Sequence, residues 1–413
     1  MLHQLPGWQI SLSRSRFSSV KTPFDVIIIG AGASGLVCAA EAARRRRSTL
    51  LLDHGDKAAA KVLLSGGGKC NFTNYNIAAE NYISGNPHFC KSALSRYTQW
   101  DFIGALDEGG IQWEERNHGQ LFASGSAREI QEMLLNKART AGAELKTGVK
   151  ISSVGQMSEG GFLVSTSRGD FSADSLVIAA GGLSLSDVGA GPFGYRIAEQ
   201  FGIPVTPLSP GLVPLTLHKE DKQRFAPLAG IAVDAEVSAG GMSFRENLLF
   251  THRGLSGPVI LQISNYWHPG EELVINLLPE ITLETILEKA KSETPKSLVR
   301  GLLSRYLPKR LAAALLPAEL TERSIKSLNP SHLQILENAV HRLSLKPNGT
   351  EGYRTAEVTR GGVSLDSLSS KTFETRTVPG LYFIGEVLDV TGWLGGYNLQ
   401  WAWSSGWCAG QFV

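Results

Sequence analysis

The run Gly30-Ala31-Gly32-Ala33-Ser34-Gly35 stands between a short apolar stretch, 25–29, and a segment with helical apolar spacing, 34–47. A glycine-rich turn that leaves a buried strand and enters a helix opens a βαβ unit. Gly30 permits the tight turn, Gly32 lets the backbone approach a pyrophosphate, and Gly35 lets helix and strand pack closely. Ala33 and Ser34 begin the helix, whose free N–H groups face the anion. A second β-rich run, 49–53, completes the unit. Asp53, with His54 beside it, stands where a carboxylate accepts hydrogen bonds from an adenosine ribose. The motif alone does not separate NAD from FAD.

The remainder of the chain points to FAD. The apolar strand 176–180 runs through Ala180 into Gly181-Gly182, and 381–384 runs into Gly385-Glu386. An acid such as Glu386 or Asp389 can accept hydrogen bonds from ribityl hydroxyls, which a nicotinamide dinucleotide lacks. Gly395-Gly396-Tyr397-Asn398-Leu399 opens a last helix, expected from 398 onward, whose N–H groups face the flavin N1/O2 locus, where negative charge builds on reduction. Two distant segments thus grip one cofactor.

At 413 residues and 42% hydrophobic, the chain can bury two or three domain cores. Forty Lys+Arg against 38 Asp+Glu leave a net charge of +2, so no global field selects a nucleic acid or a membrane. The four cysteines, Cys38, Cys70, Cys90 and Cys408, lack the spacing of a zinc site, a redox pair or a disulfide framework and fit a reducing cytoplasm. No metal site and no membrane span is read, and nothing sets an oligomeric state.

Residues 1–23, serine-rich and basic, read as a disordered extension in preference to a transit peptide. A first segment of the FAD-binding domain covers 24–200, with helices at 87–108 and 126–142. Pro204, Pro207, Pro210 and Pro214 then break the chain, and 201–280 reads as a β-rich insert with strands at 231–238 and 244–250. The stretch 281–343 reads as a helical insert, basic through Lys291, Lys296, Arg300, Arg305, Lys309 and Arg310, with Pro308 dividing two helices. The chain returns over 344–413, with the second FAD-binding segment starting at about 352.

Several stretches carry a family likeness: DVIIIGAGASGL, KVLLSGGGKCNFTN at 61–74, GQLFASGSA at 119–127, LFTHRGLSGPVIL at 249–261, AEVTRGGV at 356–363 and GLYFIGEVLDVTGWLGGYNLQWAWSSG at 380–406. In combination they resemble the bacterial BaiN/RdsA-type NAD(P)/FAD-dependent oxidoreductases, a branch of the glutathione-reductase-like flavoproteins. The resemblance implies an α/β fold: a discontinuous Rossmann-like FAD-binding domain carrying an inserted β-barrel-like part and a helical part. It also implies FAD contacts at the glycine fingerprint, at Asp53, from Lys61 through Ser65, Gly66 and Gly68 to Asn71, near Val149, and from Gly385 to Leu399. Lys69 departs from the family, where arginine is commoner, and residues 1–23 have no counterpart in it.

The implied activity is hydride addition from flavin N5 across a carbon–carbon double bond conjugated to a carbonyl, either uridine in ribosomal RNA, giving dihydrouridine, or an unsaturated small molecule. NADH or NADPH is the candidate donor, although no second G-x-G-x-x-G marks a nicotinamide domain. The basic helical insert is the candidate contact for ribosomal RNA. Cys70, in a glycine-rich loop beside Lys69, is the candidate general acid; packing is its other reading. Lys69, His252, Arg253 and Arg360 are candidate substrate contacts. Two other classes stay open: a flavin-containing RNA- or ribosome-binding protein with structural FAD, and a flavin oxidase or monooxygenase.

Overall fold

Val26 to Ile29 form an unbroken apolar run, as a strand covered on both faces requires. The computed structural model, which describes residues 23–185 and 189–413, places it there. The expected extension therefore lies, but for Pro23, outside the described residues. Strand Phe24–Ile29 lies between Thr49–Leu52 and Gly169–Ile178, parallel to both. Glu144–Lys146 adds to the Thr49–Leu52 side, Leu381–Phe383 pairs in parallel with Gly169–Ile178, and Phe162–Thr166 and Ile151–Gln156 complete the sheet antiparallel. Ile29 lies opposite both Leu52 and Ile178, and Ile178 opposite Phe383. The chain consequently leaves four strands along one edge, at Gly30, Asp53, Ala179 and Ile384, the edge at which open α/β sheets bind ligands.

The first helix, Ala33–Arg44, and the last, Tyr397–Gly410, meet backbone to backbone: a Cβ on Gly406 would lie 2.4 Å from the Ser34 carbonyl oxygen. The Arg45 guanidinium donates to the Gly410 and Val413 carbonyls at 2.9 and 3.2 Å, satisfying the end of the last helix. Some boundaries move from their expected places. The first helix stops at Arg44 because Arg46 turns to a φ of 66°. The helical stretch 87–108 divides into Phe89–Arg96 and Gln99–Glu108, because Asp101 accepts from the Thr98 N–H at 2.7 Å and starts a new helix.

The inserted body is a seven-stranded antiparallel sheet built around the hairpin Ala232–Ala239 and Met242–Phe250. Val233, Ala235, Val237 and Ala239 alternate inward, as a half-buried sheet requires. The helices between Leu283–Glu293 and Pro330–Val340 pack on the same core, which joins Ile286, Leu303 and Leu311 to Val237 and Ile275. Pro308 does divide two helices, Val299–Leu303 and Lys309–Ala314. The insert joins the first body where Ser209–Gly211 pairs with Val358–Arg360, and within its own sheet the outgoing Leu215–Leu217 pairs with the returning Pro347–Thr350. Outgoing and returning chains therefore run side by side.

Under the last helix, Trp403 stacks on Phe102 at 4.4 Å and donates to the Phe72 carbonyl at 2.9 Å. Trp403→Ala should cost about 3–5 kcal/mol of stability, read as a lower denaturant midpoint.

Candidate active site at the strand ends

A cavity of about 1570 Å³ opens along this edge. It exceeds the roughly 300–1,000 Å³ of a drug-sized ligand pocket, leaving room for a dinucleotide and a reactant. At the glycine turn, Gly30 has φ +111°, and a Cβ there would lie 2.3 Å from the Ala179 oxygen. A Cβ on Gly35 would lie 1.9 Å from the Gly30 oxygen. Gly32 faces open space, with nothing within 4 Å of its Cβ position, and no side chain caps the helix it begins. Uncapped N–H groups, an open approach and Lys57, Lys61 and Lys150 on the wall fit the pyrophosphate of a dinucleotide.

Asp53 and His54 lie on the wall beyond. The Asp53 carboxylate accepts from the Ala31 N–H at 2.6 Å and the Gly55 N–H at 2.8 Å, which aims it along the cavity and leaves lone pairs for hydroxyls. Opposite, Ala180, Gly181 and Glu386 line the middle. Lys61 Nζ lies 2.7 Å from one Glu386 oxygen, and the Thr359 N–H donates to the other at 3.0 Å. This pair joins the two halves of the chain across the site.

At the far end, Gly395, Gly396, Asn398 and Leu399 face Ser65, Gly66 and Asn71. Asn398 clasps its own loop, accepting from the Gly392 N–H at 2.8 Å and donating to the Gly392 oxygen at 3.0 Å. No side chain caps the helix that starts after Gly396, so its N–H groups stay available to an electron-rich ring.

Other expected residues sit behind the wall. Val149 is buried and bonds the Asp53 carbonyl at 2.9 Å; Gly385 bonds the Ser405 hydroxyl at 3.1 Å; Tyr397 is buried against Tyr82. Gly35 and Gly68 shape the turns without lining the cavity. Asp389 is buried, accepts from the Gly85 N–H at 3.1 Å, and has its carboxyl raised by burial. Cys70 is fully buried behind the Ser65–Gly68 turn, and burial pushes its thiol up to about 12. Lys69 donates to the Ser124 carbonyl at 2.8 Å. His252 and Arg253 are exposed, with Arg253 3.4 Å from Glu351, and Arg360 is partly buried off the wall.

The wall also includes residues that sequence reading missed: Arg116, Gln120, Glu246 and Glu357. Gln120 and Glu357 fall inside two of the family-like stretches, a signal that could have marked them. Arg116 and Glu246 belong to strands whose outer faces meet the cavity only after folding. The crowded concave wall lifts the Glu357 carboxyl above its usual range, with Lys61 opposing.

A dinucleotide cradle built from both ends of the chain, with an inserted body across its mouth, defines an FAD-dependent oxidoreductase. The HI0933-like protein Rossmann domain family matches residues 24–412, and the chain belongs to that family. Over 390 residues it is 51% identical to the ribosomal RNA dihydrouridine synthase of Escherichia coli (strain K12), covering 94% of this chain and 97% of the relative. A Haemophilus influenzae protein of the same name is 48% identical over 384 residues, covering 92% and 96%. The 3-dehydro-bile acid delta(4,6)-reductase of Clostridium scindens is 30% identical over 402 residues, covering 93% and 97%. Among solved structures, the 3-ketosteroid-delta4-(5alpha)-dehydrogenase from Rhodococcus jostii RHA1 shares the fold at a TM-score of 0.50 and 14% identity, covering 96% of this chain and 99% of that one.

Gly35→Ala should lower the flavin-to-protein absorbance ratio of the purified protein severalfold, since the added Cβ separates helix from turn. All four thiols are buried and raised above the ordinary 9.0. They stay neutral in the fold while the unfolded chain ionises, so stability should fall as pH climbs from about 9 towards 12, seen as a decreasing Tm.

Proposed function

We propose that the protein reduces uridine in ribosomal RNA to dihydrouridine, using FAD reloaded by NADH or NADPH. The observation that carries this reading is the near-full-length similarity, at 51%, to a relative named for that activity. Bound FAD supplies hydride from its reduced ring. The chain's residues do the rest. The Gly30–Gly35 turn and the nearby lysines hold the pyrophosphate, Asp53 takes the ribose, and Glu386 takes the ribityl chain. The N-terminus of the last helix holds the ring and favours its negative charge. Leu212, Pro258 and Glu246 of the inserted body, on the cavity wall, keep water from the reacting face.

Lys291, Lys296, Arg300, Arg305, Lys309 and Arg310 are all exposed and supply an electrostatic footing for the RNA backbone. Arg300 is partly committed to Glu322, at 2.8 Å. The cytoplasm is the matching location. The 30%-identical bile-acid reductase keeps a small conjugated ketone as the second reading. Cys70, the candidate proton donor, has to reach a reacting carbon from behind the wall; Cys70→Ala leaving dihydrouridine formation unchanged would remove it from the chemistry.

Reduced anaerobically with NADPH or NADH, the enzyme should regain its oxidised flavin band when unmodified ribosomal RNA is added, with dihydrouridine appearing in the nuclease digest. Reoxidation by a conjugated steroid ketone and not by RNA would overturn the RNA reading.

A further inference from the structure

Helix Pro258–Ser264 of the inserted body ends against the loop that leads into the last helix, and two amides there are left half-used. Gln262, 7% exposed, accepts from the Leu394 N–H at 2.6 Å, and its Nε2 is buried with no partner. Asn265, 1% exposed, accepts from the Leu212 N–H at 2.9 Å, and its Nδ2 is likewise buried without a partner. The bonds to backbone N–H groups fix both amides with oxygen engaged and nitrogen free. A buried donor without an acceptor is costly, so two within one helical turn indicate an acceptor that arrives from outside the chain.

Arg360 belongs to the same place. The point that a Cβ on Gly211 would occupy is 2.7 Å from Arg360 Cγ and 2.8 Å from Asn265 Oδ1. The guanidinium is partly desolvated, feels Asp389 and Tyr266 only at a distance, and makes no ion pair or hydrogen bond among the described residues. Three half-buried rings gather at the same joint, next in the chain to Asn265 and Leu394: Trp393 donates to the Tyr266 hydroxyl at 2.7 Å and meets Phe244 edge-on at 5.0 Å. The cluster backs onto Leu212 and Leu394, both on the cavity wall.

We propose that this joint is the uracil pocket, in which Gln262, Asn265 and Arg360 donate to the base carbonyls while Trp393, Tyr266 and Phe244 supply the aromatic surface against which an unstacked base packs. The assignment rests on the uridine reading above. It matches how single-stranded bases are read, by stacking on aromatic or guanidinium planes and by hydrogen bonds to the base edge. It also suits the reaction. With reduced FAD bound as the hydride donor, addition at C6 would push the C5=C6 electron pair towards O4, where these donors would stabilise it until C5 takes a proton from water, giving dihydrouridine.

The test exploits the opposite polarity of uracil O4, an acceptor, and cytosine N4, a donor. Gln262→Glu and Asn265→Asp keep the acceptor that holds the backbone but replace the free donor by an oxygen. Binding of two otherwise identical RNA oligonucleotides, one with uridine and one with cytidine at the target position, is measured by anisotropy on the flavin-loaded protein, alongside dihydrouridine formation. The wild type should prefer uridine, and each variant should narrow or invert that preference. Arg360→Ala should lower kcat/KM for dihydrouridine formation by about 10- to 100-fold, with Arg360→Lys between. The preference is a ratio within one protein, so a general loss of stability does not imitate the effect. Wild-type dihydrouridine formation with an unchanged preference in both amide variants would overturn the pocket and leave the activity standing. A wild type that makes no dihydrouridine would overturn the uridine reading and the pocket with it.

Discussion

Everything in the site depends on the close approach of three backbone segments at the strand ends. The Gly30 turn lies against Ala179, the first helix lies against that turn at Gly35, and the last helix lies against the first at Gly406, each at a distance no Cβ would allow. Such contacts contribute little binding energy of their own. They bring the start and the end of the chain to the same edge of one sheet, so that two uncapped helix N-termini open on a single cavity. The fixed partial charges of those termini suit a ligand with an anionic middle and a ring that gains charge on reduction.

The inserted body is held to this frame through paired strands and through the end of one helix. Gln262 reaches Leu394, Asn265 reaches Leu212, and Tyr266 reaches Trp393, so the wall opposite the cofactor cradle is set by side chains three and four residues apart. The same short stretch thereby fixes the position of the insert and furnishes donors at the joint.

Much of the cradle was legible because its signals are local. An apolar run that ends in glycine, followed by helical spacing, marks a buried strand and its turn without any knowledge of the rest. Thr98, with Asp101 three residues on, was an equally local sign of a helix start that the apolar spacing of 87–108 concealed. What was not legible depends on direction. Glu386 and Asp389 flank one turn, yet one carboxylate meets the cavity with Lys61 and the other is turned to Gly85. Cys70 sits in a loop that touches the cavity, but its own side chain points under it. Glu246 lies on an unremarkable strand that becomes wall only when the insert docks. A net charge of +2 carries no global signal for a nucleic acid, and the basic helical face and the amide pair are local features that it cannot reveal.

The central claim, that one FAD is gripped by both ends of the chain, is tested most directly by hydrogen exchange on the flavin-free protein with and without added FAD. Slower amide exchange on FAD addition in both the 30–36 and the 395–400 segments is the predicted result. Protection confined to 30–36, with 395–400 unchanged, would mean that the last helix does not hold the flavin and would contradict the account.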